Sequence, residues 1–303
     1  MRNEMQDVIK KQLTLSLVIW DLHIGAKESE RYQNERDLYG IRQINLPVCK
    51  SCLDAYEWIR RTLSENSASA AHALLVTQNA ALADYIYRGA KQGMALVFYE
   101  KEGEQRARAD FIVQGFWEIG VQFLDRVLKR KNHLPWNILY TKRTCVREIS
   151  LQDLDELFLL YQGEGITDYT EDLYERSKEE AYTDHYIRHM YYFYGYGMWI
   201  IRDRQTGALI GRAGIEHREV CGKTVRELGY VIGKEYQRQG YAYEVCRAIL
   251  EYARERLCMD EIHCFIHPKN TPSIRLAKKL GFGFCEGEFC GTKGALHFCM
   301  VFG

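Results

Sequence analysis

The hexapeptide Gln237-Arg238-Gln239-Gly240-Tyr241-Ala242 is the stretch of this 303-residue chain best suited to hold an anion. It follows the strand-like run Arg226-Glu227-Leu228-Gly229-Tyr230-Val231-Ile232 and a loop over 233–236. It opens a helical pattern with Val245, Ala248, Ile249 and Tyr252 on one side. A strand that feeds a loop and then a helix presents several unpaired N–H groups to one point, and the helix dipole adds positive charge there. Such a place suits a pyrophosphate. Gly240 and Ala242 lack bulk, so a phosphate can approach the backbone, and Arg238 can add a charged contact.

Other residue groups with chemical potential are weaker. Cys49 and Cys52 have the spacing of a redox dithiol or half a zinc site, but no second CxxC exists, and two ordinary thiols are the simpler reading. Cys285 and Cys290 are too far apart for a zinc knuckle. His185 and His189 share one helix face but lack the Glu of a zinc-protease helix. No metal site is expected.

Around the hexapeptide, residues 144–149 alternate as a strand, and Ser150 with Asp153 forms a capping box for a helix with Leu154, Leu157, Phe158 and Tyr161 on its apolar face. A second helix is expected from about Arg176 to Tyr194, stopped by Gly195. The strands Met198–Arg202, Leu209–Glu216 and Thr224–Ile232, with turns at Gly207 and Gly222, form an antiparallel meander. Helix 240–257, strand 262–267, helix 271–280 and two final strands follow.

In this setting the hexapeptide matches the (Q/R)xxGx(G/A) signature of the GNAT acetyltransferase superfamily at every defined position. Four further features stand at that family's spacing: Glu227-Leu228-Gly229-Tyr230 on the preceding strand, Glu244 after the signature, Asn270-Thr271-Pro272-Ser273 opening the next helix and Lys279-Leu280-Gly281-Phe282 closing it. The second half most resembles the ribosomal-protein N-terminal acetyltransferase branch, which also includes enzymes acting on small amines and antibiotics. The resemblance implies a mixed sheet with two splayed parallel strands and flanking helices. It implies acetyl-CoA as co-substrate and an amine acceptor, either a protein N-terminus or a small molecule.

By the same resemblance, Val231 and Ile232 pair with the pantetheine arm, and Gln237, Arg238, Gln239, Gly240, Tyr241 and Ala242 cradle the pyrophosphate. Glu227 is the implied general base, acting through water; the alternative is a strand carboxylate paired with Arg or Lys. Many members place a proton-donating Tyr where this chain has Ala277, and Ser273 is the replacement the branch suggests. Asn270 is expected at the pantetheine or between the splayed strands, or as a helix cap. The aromatic residues Tyr191, Tyr192, Phe193, Tyr194, Tyr196 and Trp199 fall where the family walls its acceptor pocket. Ala277 also leaves room for a CoA-binding sensor with weak catalysis.

The first half alternates strands and helices, which implies a parallel sheet, so the whole chain is α/β. Strands are expected at Leu13–Trp20, Ala73–Thr77, Ala95–Tyr99 and Phe111–Val113, and helices at 53–63, 80–89 and 119–129. Val18-Ile19-Trp20-Asp21, Leu75-Val76-Thr77 and 108–113 resemble a haloacid-dehalogenase-type Rossmannoid domain. Leu22 and His23 follow Asp21, so the second carboxylate of active members is missing and no phosphatase chemistry is expected. The charged run 129–136 reads as a connector, giving domains 1–140 and 141–303. Lys plus Arg and Asp plus Glu both number 41, which argues against a nucleic-acid binder. No apolar run reaches the ~20 residues of a membrane span, and no signal-peptide pattern opens the chain, so a cytoplasmic enzyme is expected. A homodimer is left open.

Overall fold

The computed structural model describes all residues except 1–12, 23–33, 35–37, 90–92, 101–106, 116–118, 221 and 286–293. His23 and Cys290, named above, lie outside the described residues. The chain divides into two compact units, Met1–Leu134 and Pro135–Gly303.

The first unit is a five-stranded sheet in the order β2-β1-β3-β4-β5, with every neighbouring pair parallel. Its strands are β1 (Leu17–Asp21), β2 (Arg42–Asn45), β3 (Ala73–Thr77), β4 (Ala95–Tyr99) and β5 (Phe111–Val113). β3 is buried along its full length, as a central strand covered on both faces must be. Helices α1 (Cys52–Glu65), α2 (Ala80–Gly89) and α3 (Val121–Lys131) accompany it. Ser51 caps α1 by accepting from the Asp54 N–H at 3.1 Å, so one of the two residues between the cysteines has a local structural task. At the carboxyl ends of β1 and β3, Asp21 accepts from Thr77 Oγ1 at 2.5 Å. β2 was not expected from the sequence: Arg-Gln-Ile-Asn lies at the sheet edge, and its polar composition hides the strand.

The second unit is built on an eight-stranded sheet in the order β12-β13-β11-β10-β9-β8-β7-β6. Its strands are β6 (Asn137–Tyr140), β7 (Thr144–Glu148), β8 (Met198–Asp203), β9 (Leu209–Val220), β10 (Lys223–Ile232), β11 (Glu261–Ile266), β12 (Gly283–Phe284) and β13 (Leu296–Val301). All neighbours are antiparallel except β10 and β11. The long β9–β10 ladder runs in register from Lys223↔Val220 to Ile232↔Gly211. Helices α4 (Leu154–Tyr161), α5 (Arg176–Tyr186), α6 (Tyr241–Glu255) and α7 (Thr271–Leu280) flank the sheet. One core joins them, with Leu157, Trp199, Ile215, Val245, Ile249 and Ile262 fully buried.

Three local outcomes differ from or refine the sequence reading. Strand β6 follows directly on the stretch read as a connector, where no element was expected, and pairs with β7. The Ser150–Asp153 capping box is present, but it opens a short 3₁₀ turn, Leu151–Asp153, ahead of α4. The second helix does end at Gly195, at φ 73°, but from Ile187 to Tyr194 it is wound as a π-helix. An extra residue per turn preserves the apolar pattern while rotating the side chains, and such segments recur at functional sites.

Candidate active site

The one parallel junction in the second sheet is also its opening. β10 and β11 pair only at Glu227↔His263. Continued parallel pairing would set Gly229 against Phe265, yet from there the strands part. The edge of β10 from Gly229 to Ile232 therefore faces a gap instead of a neighbour. A cavity of about 180 Å³ fills the fork, lined among others by Glu227, Tyr230, Cys264, Asn270, Ser273 and Ala277. Val231 and Ile232 have buried side chains at the mouth of this fork.

Beyond the fork the chain makes the anion cradle. Gly233 N–H donates to the Ile210 carbonyl at 2.8 Å, and Gln237 Nε2 donates to the Ile232 carbonyl at 3.0 Å, which ties the loop to the end of β10. Gln239 Nε2 donates to the Glu235 carbonyl at 2.6 Å. The two glutamines thus shape the loop through their side chains. Arg238 at φ 59° and Gly240 at φ 85° are left-handed, and they bend the loop into a concave nest ahead of α6. From Arg238 to Tyr243 no backbone N–H donates to another described residue. Those donors, at the positive end of a helix dipole, are what an anion needs.

Arg143, at the start of the second unit, bolts this cradle from behind. Its Nε donates to Glu244 Oε2 at 2.7 Å and one terminal nitrogen donates to the Gln239 carbonyl at 3.0 Å. Its backbone N–H donates to Glu244 Oε1 at 2.9 Å, and its guanidinium lies 4.0 Å from the centroid of the Tyr241 ring. Burial raises the Glu244 carboxyl, but hydrogen bonds from Thr141 and Arg143 outweigh it and hold the group below its ordinary range. Glu244 was recognised from spacing; Arg143, about a hundred residues upstream, gave no local signal.

Two polar centres line the fork. On one side Glu227 accepts two bonds from one nitrogen of Arg218, at 2.9 and 3.0 Å. Arg218 itself lies 4.6 Å from the centroid of the Phe265 ring. Burial lifts the Glu227 carboxyl above the ordinary range, and the Arg218 charge and hydrogen bond only partly offset it. The ion pair weighed for Glu227 is therefore real, and it coexists with a raised basicity. On the other side Tyr230 donates to Ser273 Oγ at 2.8 Å, which leaves the serine proton free to donate onward. Burial pushes the Tyr230 hydroxyl well up, so it stays protonated. Asn270 caps α7 by accepting from the Ser273 N–H at 3.2 Å. Ala277 lines the same cavity and brings only a methyl group.

The comparisons with known proteins agree with this geometry. Residues 143–283 match the family model described as the acetyltransferase (GNAT) domain. The chain is 30% identical over 149 residues to the uncharacterized protein YkkB of Bacillus subtilis, covering 49% of this chain and 86% of the relative. It is 31% identical over 146 residues to the uncharacterized N-acetyltransferase YoaA of the same organism, covering 48% of this chain and 82% of the relative. This chain belongs to the GNAT acetyltransferase family. It is an N-acetyltransferase, and the family uses acetyl-CoA. A solved acetyltransferase from Agrobacterium tumefaciens aligns over 54% of this chain and 92% of its own at 22% identity, with a TM-score of 0.47.

As a GNAT enzyme it needs an acceptor side, and the aromatic residues expected there divide sharply. Trp199 and Tyr191 are core, and Tyr191 donates its hydroxyl proton to the Met198 carbonyl. Tyr196 is buried with its hydroxyl 2.5 Å from His217 Nε2. Tyr192, Phe193 and Tyr194, on the π-helix, are exposed. A second cavity of about 180 Å³ lies between α5, the loop before it and the sheet. Its lining includes Glu171, Asp172, Glu179, Glu216, Tyr182 and Arg212. Glu216 pairs in register with Glu227 and accepts from Tyr186 Oη at 2.9 Å, which links this cavity to the fork along one sheet face. The carboxylates of the loop were not singled out in the sequence, because nothing local separates them from a solvated acidic stretch.

Proposed function

We propose that the second unit, taken as residues 141–303, moves an acetyl group from acetyl-CoA to a primary amine by direct attack, the acceptor being a protein N-terminus or a small molecule. The observation that carries this reading is the fork between β10 and β11, which has Glu227 on one wall and the Tyr230–Ser273 pair on the other. In this reading the free edge at Val231 and Ile232 pairs with the pantetheine arm. The amides from Arg238 to Ala242 hold the pyrophosphate, Gln237 and Gln239 keep that loop in shape, and Asn270 offers its amide N–H groups to the pantetheine.

An α-amino group with pKa near 8 must give up its proton at a cost of about 1 kcal/mol at pH 7, against about 4.6 kcal/mol for a lysine. Glu227, lifted by burial and held in place by Arg218, takes that proton through a water. The amine nitrogen then forms the C–N bond as the C–S bond breaks. Ser273, its oxygen held in place by the Tyr230 hydroxyl, gives its proton to the departing thiolate as it takes one from solvent. The four carboxylates around the second cavity favour an acceptor that arrives as a cation. The first unit, Met1–Leu134, takes no part in the chemistry.

The test is thiol release from acetyl-CoA across a panel of amines, with wild type and Glu227→Gln. The variant should lose about 10²-fold or more in kcat and bind CoA unchanged. An enzyme whose turnover survives Glu227→Gln across pH would leave the proton to another group. CoA binding without thiol release for any amine would favour a sensor.

A further inference from the structure

Toward the β13 edge, the sheet face that carries Glu227 holds a second polar group that acetyl transfer does not use. Glu261 and His263 stand two residues apart on β11 and so point to one face. Cys299 on β13 pairs directly with His263. One ligand atom from each of Glu261, His263 and Cys299 lies within 4.8 Å of the other two. The set offers one oxygen, one nitrogen and one sulfur donor, all types that zinc accepts.

His263 decides the matter. It is 8% exposed, and its Nδ1 lies 2.9 Å from His297 Nε2, a bond that orients the ring as an outer partner orients a ligating histidine. Its Nε2 is buried and makes no hydrogen bond, although Glu261 Oε1 is 3.3 Å away. The spacing is right for a hydrogen bond but the direction is not. Two ligands each about 2.0 Å from a tetrahedral cation stand about 3.3 Å apart, so the same spacing suits a shared ion lying on the Nε2 lone pair. A sulfur ligand belongs about 3.6 Å from such a nitrogen, and the Cys299 sulfur lies no more than 4.8 Å from the other ligand atoms.

We infer that Glu261, His263 and Cys299 form a binding site for a zinc-class divalent cation. The Cys285 thiol, which hydrogen-bonds with that of Cys299, neighbours this cluster of three. The ion would tie β11 to β13 beside the single register pair from which β10 and β11 diverge, and would stiffen the base of the fork. The inference does not depend on how the acetyl group is transferred. The sequence concealed the site, since its ligands come from strands far apart in the chain.

The test uses the full chain stripped with chelator and titrated with Co²⁺. One cobalt per chain should bind and give a thiolate-to-metal charge-transfer band that Zn²⁺ then removes. Zinc affinity, measured against a chromogenic chelator, should fall more than tenfold in Cys299→Ser and His263→Ala and at least threefold in Glu261→Gln. Cys258→Ser, at an exposed thiol outside the cluster, should change nothing. Circular dichroism checks folding, and if His263→Ala fails to fold, Cys299→Ser and the rim variant Glu261→Gln decide. Absence of the charge-transfer band, its survival in Cys299→Ser, or zinc affinity unmoved by Glu261→Gln would overturn the proposal.

Discussion

Replacing Arg143 with alanine probes the cradle without touching the residues that would meet the phosphates. Its guanidinium makes three contacts: Glu244 at 2.7 Å, the Gln239 carbonyl at 3.0 Å and the Tyr241 ring at 4.0 Å. The Glu244 pair is 36% and 20% exposed, so solvent screening limits it to at most about 1 kcal/mol. The bond to Gln239 is worth about 1 kcal/mol and the ring contact about 0.5–1 kcal/mol. The loop keeps its own ties, Gly233 to Ile210 and Gln237 to Ile232, which absorb part of the loss. A net penalty of about 1–2 kcal/mol on the binding-competent loop weakens CoA by about 5–30-fold, since apparent affinity scales with the competent fraction. Calorimetric titration with CoA measures this for wild type, Arg143→Ala, Arg143→Lys and Glu244→Gln. Lysine keeps the charge but cannot hold three partners, so it should recover less than half of the loss. Full recovery by lysine would mean that Arg143 acts as a bare charge on phosphate. Alanine within twofold of wild type would refute the bolting role altogether.

Ser273→Ala should lower kcat by about 10²-fold and Tyr230→Phe by less, with the KM for acetyl-CoA unmoved in both; equal rates for Tyr230→Phe and wild type at every pH would show that Tyr230 does not position Ser273. Gly240→Ala has room, since the added carbon would meet only an Arg143 nitrogen at 3.6 Å, but φ of 85° makes it cost about 1–2 kcal/mol, read as weaker CoA binding with little change in melting temperature. Asp153 should set an acid limb on stability. Burial alone would raise its carboxyl, but Arg147 and Arg202 outweigh that and bring it from 3.8 to about 2. A folded-state value below the unfolded one stabilises above pH ~4, and the gain of about 2 kcal/mol fades as pH falls toward 2. Urea titrations at pH 2–5 should show that slope flattened in Asp153→Asn, and an unchanged slope would rule out the pair as its source.

The parts of the site that are local in the chain could be read from it. Gln237 to Ala242, Glu244, Asn270 and Ser273 stand at fixed intervals around a strand, a loop and two helices, and the meander before them announces itself by alternation and by Gly207 and Gly222. What the sequence hid is what other strands bring. Arg143 meets Glu244 across about a hundred residues, Arg218 meets Glu227 across a hairpin, and Tyr230 reaches Ser273 across the fork. Tyr230 reads from the sequence as part of a strand motif, and only the fold sets its hydroxyl against Ser273 in the fork. The π-helix at Ile187–Tyr194 was invisible for a different reason: an extra residue in a turn leaves composition and stop signal intact and changes only which way the rings face. Strand β2 escaped because an edge strand needs little apolar surface.

The separation of β10 from β11 after Glu227 and His263 leaves this protein with an unfinished ladder in the middle of its second sheet. Backbone groups at such a gap are satisfied by water until something strand-like arrives, and whatever fills it supplies the missing rungs. The fill then counts as part of the fold. At a concentration one hundred times its dissociation constant, it adds about 2.7 kcal/mol to the stability of the folded state. The stability of the folded chain is thus coupled to the supply of whatever occupies the fork, and exchange of the amide hydrogens of Tyr230 and Ile232, which face the gap while their neighbours bond to β9, would record that supply directly.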